Sequence, residues 1–404
     1  VSSYWEATSS ENLNLKKLQK DISSEIVVIG GGYTGLLCAI NLNENYNLDV
    51  VLVEAGKVGW GASSRNAGFC CLPPSKMSFK KMQSVYGKEE TKKFFKNSVE
   101  AANYTKELIK NYNIDCDVTG ENNFVVAHHK NKFDQIKEQA EIYKSEFGIK
   151  TKVYSKEEFD KVGHGGTEQF GAFSYKPGFA INPLKFVNGL AKHALSKKLK
   201  IYEHTKVDKI KKDNGTYLLK TREGSIKTKK IVVATNGFYQ EGLIPEMDGT
   251  VLPVISNIIV TRPLTDEELS LHSFNTYAPI VNSKNLLYYY RKLPDNRILF
   301  GTRGDFEGSD QSNQNRANDM EKFLKNIFPK WNDITIDYNW RGLIALSQKL
   351  TPSIGKIENE EIYYGFGYSG VGVSAAPWTG KQLSKIVFSS NSKELDISKI
   401  YKGL

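Results

Sequence analysis

Residues 59–69, GWGASSRNAGF, set one arginine and one asparagine into backbone almost bare of side chains, since seven of the eleven residues are Gly, Ala or Ser. Main chain of that kind lets a bound group come close, with Arg65 and Asn66 as candidate donors to it. A second stretch, GGGYTG, places Gly30, Gly32 and Gly35 in the G-x-G-x-x-G spacing, and Glu54 follows 19 residues after the last glycine. The first glycine makes a tight turn, the second lets a pyrophosphate reach N–H groups at a helix start, and the third lets helix and strand pack closely. Glu54 then accepts from a ribose hydroxyl, and an acid there fits a ribose without a 2′-phosphate. This chemistry is dinucleotide binding.

The arginines form the other candidate set. There are eight against 47 lysines, and Arg262, Arg291, Arg297, Arg303, Arg316 and Arg341 fall within one 80-residue stretch. A planar two-pronged donor suits a carboxylate or phosphate-like group, so a cluster of arginines in a lysine-rich chain points to an anion. The candidates for charge recognition are Arg262, Arg291, Arg303 and Arg341. Strand alternation puts Tyr288 and Tyr290 together on one face beside them.

The elements that position these residues are legible around them. EIVVIG (25–30) is an apolar β-branched run without polar alternation, the pattern of a strand buried on both faces. LLCAINL follows at helical spacing, and a second apolar strand, 49–53, closes at Glu54, completing a βαβ unit. INPLKFVNGLAKHAL (181–195) reads as a helix with Pro183 near its start, followed by strands around IYEH, KVDKIKKD and GTYLLKT and a further apolar strand at KKIVVATNG. Residues 80–150 read as amphipathic helices with a strand at NNFVVAHH. Aromatic strands dominate from about 250 to 340, with a hairpin LLYYYRKLPDNRILFGT turning at Asp295 and Asn296, and residues 361–387 return to a glycine-rich turn and a helix.

Composition closes off several classes. The formal charge of +10 comes from lysines spread over the chain rather than an aromatic-interleaved stripe, so nucleic acid is not expected. No apolar run approaches the ~20 residues of a membrane helix, and the first 24 residues do not resemble a secretory signal. Cys38, Cys70, Cys71 and Cys116 form no CxxC pair, which fits a reducing, cytoplasmic setting and argues against a structural metal. The six histidines show no metal-ligand spacing.

Taken together, SYWEAT, VVIGGGYTGL, VLVEAGKVGWGASSRNAGF, INPLKFVNGLAKHA, IVVATNG, RILFGTRG, NWRGLIALSQKLTPSIG and GFGYSGVGV resemble, in order and over nearly the whole chain, the blocks of the D-amino-acid oxidase superfamily of flavoproteins. The nearest resemblance is to its gamma-glutamylputrescine oxidase-like branch. The resemblance implies an α/β (α+β two-domain) fold: a Rossmann-like FAD-binding domain of the glutathione-reductase type, from residues 1–75, 151–240 and 341–404, with a mixed-sheet substrate domain from 76–150 and 241–340. It implies FAD, bound without a covalent link, because the loop position where some relatives carry His is Arg65 here and no cysteine follows Cys116.

Carried residue by residue, the resemblance gives the ADP half of FAD to Gly30, Gly32, Tyr33, Thr34, Gly35, Glu54 and Ala55, with the backbone of Val207 at the adenine and Thr235 and Gly237 near the pyrophosphate. Gly61, Ala62, Ser63, Arg65, Asn66, Ala67 and Gly68 cross the flavin. Gly367, Tyr368, Ser369, Gly370, Val371, Gly372 and Val373 bring N–H groups and a helix start to the pyrimidine edge, where they stabilise negative charge on the reduced ring. Two departures fall near the expected substrate side: Val371 stands where many relatives have His, and Arg262 where many have Glu.

The implied reaction takes a hydride from the carbon beside an amine nitrogen and yields an imine that hydrolyses to an aldehyde or keto acid. Arg262 in place of an acid, with the arginine cluster, favours a small amine bearing an anionic group: an N-methylated amino acid, an omega-amino acid or an aminophosphonate. The alternatives are a gamma-glutamylputrescine-like cationic amine, a dehydrogenase passing electrons to a quinone or partner instead of oxygen, and a flavin-binding module without catalysis. Oligomeric state has no signature in the sequence.

Overall fold

The apolar run around Val27 forms the Ile22–Ile29 strand at the centre of an eight-stranded sheet, in the computed structural model, which describes residues 3–9, 11–305, 307–391 and 395–404. Parallel pairing joins it to Val50–Val53 on one side and Ser225–Val233 on the other, and the sheet extends to Lys200–Tyr202 at one edge and Ile362–Phe366 and Ser353–Lys356 at the other. Both faces are buried, as the lack of polar alternation requires. Ile26 and Val28 pack with the helices Tyr33–Tyr46, Pro183–Ser196 and Gly372–Ser389, whereas Val27 and Ile29 pack with Leu219, Ile226 and Ile231. This is the Rossmann-like half of a two-domain α/β fold.

The second eight-stranded sheet is mixed and runs, from edge to edge, Ile336–Ser347, Val251–Thr261, Ile298–Arg303, Tyr289–Lys292, Ile280–Asn282, Asn123–Val126, Ala172–Lys176 and Lys150–Tyr154. The expected hairpin is present, with Lys292 opposite Ile298 across the turn. Alternation divides this sheet cleanly. Ile259, Tyr290, Ile298 and Phe300 face the helix Asp310–Ile327 and pack on Met320 and Leu324. Ile258, Val260 and Leu299 face the other way, toward Trp5, Phe69 and Trp340. Cutting Phe300 back to Ala would cost about 3–5 kcal/mol of stability.

Sheet membership departs from the expected segmentation. Lys150–Tyr154 and Ala172–Lys176, expected within the dinucleotide segment 151–240, pair in the second sheet, and Ile336–Ser347 carries that sheet past the expected boundary at 341. Short strands in the middle of a chain carry no local mark of which sheet they will join; pairing decides that.

Candidate active site

A cavity of about 720 Å³ lies between the sheets, within the ~300–1,000 Å³ usual for ligand sites. One end rests on the first sheet and is made of backbone. The strand Ile22–Ile29 hands over to the helix Tyr33–Tyr46 at Gly32, which caps that helix without a side-chain hydrogen bond. Gly35 is where the third glycine of the spacing acts: a Cβ there would lie 1.9 Å from the Gly30 carbonyl oxygen, so helix and strand touch only because it has none. Glu54 at the end of Val50–Val53 accepts from the N–H of Gly31 at Oε2 and of Gly56 at Oε1, both at 2.7 Å. Burial pushes its carboxyl up from the ordinary range while those two N–H groups pull it down.

The loop across the middle holds itself together. Asn66 spends its amide on the Ala62 and Ser63 carbonyls, at 2.9 and 3.1 Å, and accepts from the Gly68 N–H at 2.7 Å. Its donors organise the loop instead of reaching outward, as had been expected of them. Arg65 donates from Nε to the Trp60 carbonyl at 3.0 Å and lies over the Trp60 ring at 5.0 Å. Trp340 and Trp5, packed together against the second sheet, tie the loop to that sheet, donating to the carbonyls of Arg65 and Asn66 at 2.8 and 3.0 Å.

Most of the expected cofactor residues line this cavity: Gly30, Gly32, Tyr33, Thr34, Glu54, Ala55, Gly61, Ala62, Ser63, Arg65, Asn66, Ala67, Val207, Thr235, Tyr368, Ser369, Gly370, Val371, Gly372 and Val373. Gly35, Gly68, Gly237 and Gly367 stand behind the wall. Gly68 accepts from the Ile181 N–H at 2.9 Å, and Gly367 donates to Asn236 Oδ1 at 3.0 Å. They shape the cavity without facing it.

The donor set fits an adenine dinucleotide. Thr235 Oγ1 and Gln240 Oε1 are buried without a partner among the described residues and lie on the cavity wall, and the helix start beside them has no side-chain cap. Those are groups that a pyrophosphate and sugar hydroxyls would satisfy.

The other end is built on the second sheet, and here the expected residues separate. Of the six candidates for orienting a substrate, Arg303 alone lines the cavity. It donates from Nη2 to the Ser369 carbonyl at 3.3 Å, while its Nε is buried without a partner. Arg262 is spent on Glu268, with 2.6 and 2.9 Å contacts, and holds that carboxyl down at about 2. It lies outside the cavity, so its standing where relatives have an acid says nothing about the substrate. Arg341 turns to the start of the Asp310–Ile327 helix, donating to the Ser309 carbonyl at 2.5 Å and to Asp310 at 3.2 Å. Arg291 is 1% exposed, donates to the Ile181 carbonyl at 2.7 Å and sits over Trp5 at 5.4 Å. Burial lowers its pKa to about 9.

Tyr288 and Tyr290 do share a face, but it is the face the Asp310–Ile327 helix covers. Tyr288 stacks on Phe323, and the Tyr290 hydroxyl is 2.8 Å from His164 Nε2. Tyr289 between them faces the cavity, with its hydroxyl 2.8 Å from Ser256 Oγ. Period-two alternation paired the tyrosines correctly; which pair faces inward depends on where the covering helix packs. Sequence reasoning also missed Ser256, Ile258, Val281, Leu287 and Lys76 at this end, where Phe69 and Cys71 line the wall too. Only the nearness of Lys76 to the GWGASSRNAGF loop could have hinted at one of them.

Charge is asymmetric across the cavity. Among the described lining residues the single carboxylate is that of Glu54, on the first sheet, where Lys57 and Lys206 also line the wall, while Arg303 and Lys76 line it without a carboxylate beside them. Cys71 beside them is pushed up to about 12 by burial and stays a thiol at neutral pH. No group of three or more His, Cys, Asp or Glu side chains that could hold a metal occurs among the described residues, nor any helix long and apolar enough to cross a membrane.

A family model described as DAO, FAD dependent oxidoreductase, matches residues 25–386. The chain is similar to gamma-glutamylputrescine oxidoreductase of Escherichia coli (strain K12), 28% identical over 387 residues, covering 96% of this chain and 89% of the relative. It is also similar to glycine oxidase of Bacillus subtilis (strain 168), 23% identical over 374 residues, with 90% and 92% covered. Among solved structures, L-proline dehydrogenase from P. horikoshii matches with a TM-score of 0.74 at 22% identity, over 95% of this chain and 97% of that one, a likeness of fold.

Proposed function

The chain belongs to the DAO family of FAD-dependent oxidoreductases, and from that premise we propose that it oxidises the C–N bond of a small amine bearing an anionic group, with Arg303 receiving the anion. N-methylated amino acids, omega-amino acids and aminophosphonates are the substrate types. The observation that carries this reading is a cavity end holding a guanidinium with a buried, unpartnered Nε and no carboxylate among its described lining residues. The earlier motive, Arg262, no longer contributes.

FAD, when bound, supplies the two-electron acceptor for a hydride from the carbon beside the amine nitrogen. The protein's part is binding and orientation. Gly30, Gly32, Thr34, Glu54 and Thr235 would hold the ADP half, and the Gly61–Ala67 and Tyr368–Val373 backbones the ring. Arg303 anchors the anion, Tyr289 and Ser256 offer hydroxyls beside it, and Ile258, Val281, Leu287 and Phe69 exclude water around the reacting carbon. The product imine hydrolyses to an aldehyde or keto acid. FAD is held without a covalent bond, since the protonated Cys71 thiol is a poor nucleophile; acid precipitation should leave the flavin in the supernatant.

The test is the visible spectrum of the FAD-loaded protein in an air-free cuvette with anionic, neutral and cationic amines. Bleaching by anionic amines supports the reading, and bleaching by purely cationic amines alone overturns it. A second reading, a gamma-glutamylputrescine-like amine, is favoured by the likeness to the E. coli oxidoreductase. Oxygen consumed during turnover separates an oxidase from a dehydrogenase that hands electrons to a quinone or partner.

A further inference from the structure

Lys76 belongs to no expected site, and the structure shows how firmly it is placed. Its N–H donates to the Leu350 carbonyl at 2.9 Å, and the Ser75 hydroxyl donates to the same oxygen at 3.2 Å. That carbonyl is in turn fixed. Lys349 donates from Nζ to the carbonyls of Lys402 and Gly403 at 2.9 and 3.0 Å, and the Thr351 hydroxyl donates to the Ile400 carbonyl at 3.2 Å. Two other parts of the chain, around Leu350 and around Ile400–Gly403, thus hold the loop whose Lys76 side chain lines the cavity.

The Lys76 ammonium makes no hydrogen bond and no ion pair among the described residues. Its side chain is exposed by surface area although protein surrounds the amine, and it lines the cavity. Arg303 lines the same cavity and is the main charge acting on it. Two cations at a cavity end with no carboxylate among its described lining residues repel one another, and each has donors unspent. A monocarboxylate would leave one of the two uncompensated.

We propose that Lys76 and Arg303 form a two-cation site, which selects amines carrying two negative charges over amines carrying one. The inference rests on the proposed anionic substrate and sharpens it: a doubly charged acid group, as in an aminophosphonate, or two carboxylates on one small amine. Lys76 is the specificity-determining residue, because Arg303 alone suffices for a monoanion.

Three unreactive anions test this on the FAD-loaded protein at pH 7 and constant ionic strength, with affinity read by calorimetry: acetate with one charge, sulfate with two on one group, malonate with two carboxylates. Sulfate or malonate should bind about tenfold or more tighter than acetate, in line with a second close charge pair. In Lys76→Met that ratio should fall to near one with acetate affinity little changed, and Lys76→Arg should restore it. Preference for sulfate would assign a phosphonate-like group, and preference for malonate a dicarboxylate. If all three bind alike, or the ratio survives Lys76→Met, the two-cation site is wrong while the anionic reading stands. If none binds with FAD in place, the anionic reading itself fails and this inference with it.

Discussion

The two ends of the cavity are built in different ways. The first-sheet end is main chain: glycines at fixed spacing, an uncapped helix start and one carboxylate whose two oxygens are held by backbone N–H groups. The second-sheet end is side chains, each from a different strand or loop: Ser256, Val281, Tyr289, Arg303 and, from the loop after the GWGASSRNAGF stretch, Lys76. A cofactor of fixed shape can be held by a few short motifs, here Gly30–Gly35 with Glu54, the Gly61–Ala67 loop and the Tyr368–Val373 backbone, each local in sequence. A substrate end assembled from five places can change one residue at a time without disturbing the scaffold.

The comparison breaks most visibly at the first end. Gly35→Ala places a Cβ 1.9 Å from the Gly30 oxygen, so the protein should purify without yellow colour, as read from the ratio of flavin to protein absorbance. At the second end, Arg303→Met should keep the flavin but lower kcat/KM for anionic amines by about 30-fold or more, the ~2 kcal/mol or more of an unpaired buried charge contact. Retained activity toward anionic amines in that variant would remove Arg303 from the site.

pH sharpens the second end further. Burial, and then the neighbouring Arg303, lower the Lys76 amine to about 8, with Cys71 the other group facing it. Lys76 is therefore charged below pH 8 and neutral above. Preference for dianions should be full at pH 7 and fade as pH rises through 8, the Cys71 thiol and the Tyr289 phenol remaining protonated over that range since burial puts each at about 12. Tyr289→Phe removes the Ser256 hydrogen bond and should raise KM by about fivefold, near 1 kcal/mol, with flavin content unchanged. The smallest effect belongs outside the cavity: Arg262→Met should leave turnover unchanged and cost about 0.5–1 kcal/mol in thermal unfolding, the loss of one partly exposed ion pair.

The sequence by itself determined the first end and the fold class. Gly30, Gly32, Gly35 and Glu54 lie within 25 residues of one another, and strand, helix and strand between them follow from apolar runs and local turn chemistry. Arginine clustering along the chain was a weaker guide, because six residues near in sequence left for six destinations: Arg262 to Glu268, Arg297 to Asp295 and Asp337, Arg316 to the Arg303 carbonyl, Arg341 to Asp310, Arg291 to the Ile181 carbonyl, and Arg303 to the cavity. Only the tertiary structure decided that Tyr289 faces inward, that strands near 150 and 172 join the second sheet, and that a loop near residue 76 meets a strand near residue 303. Strand alternation fixes which residues share a face but not which face is covered, and contacts between distant segments depend on packing that no local window of sequence contains.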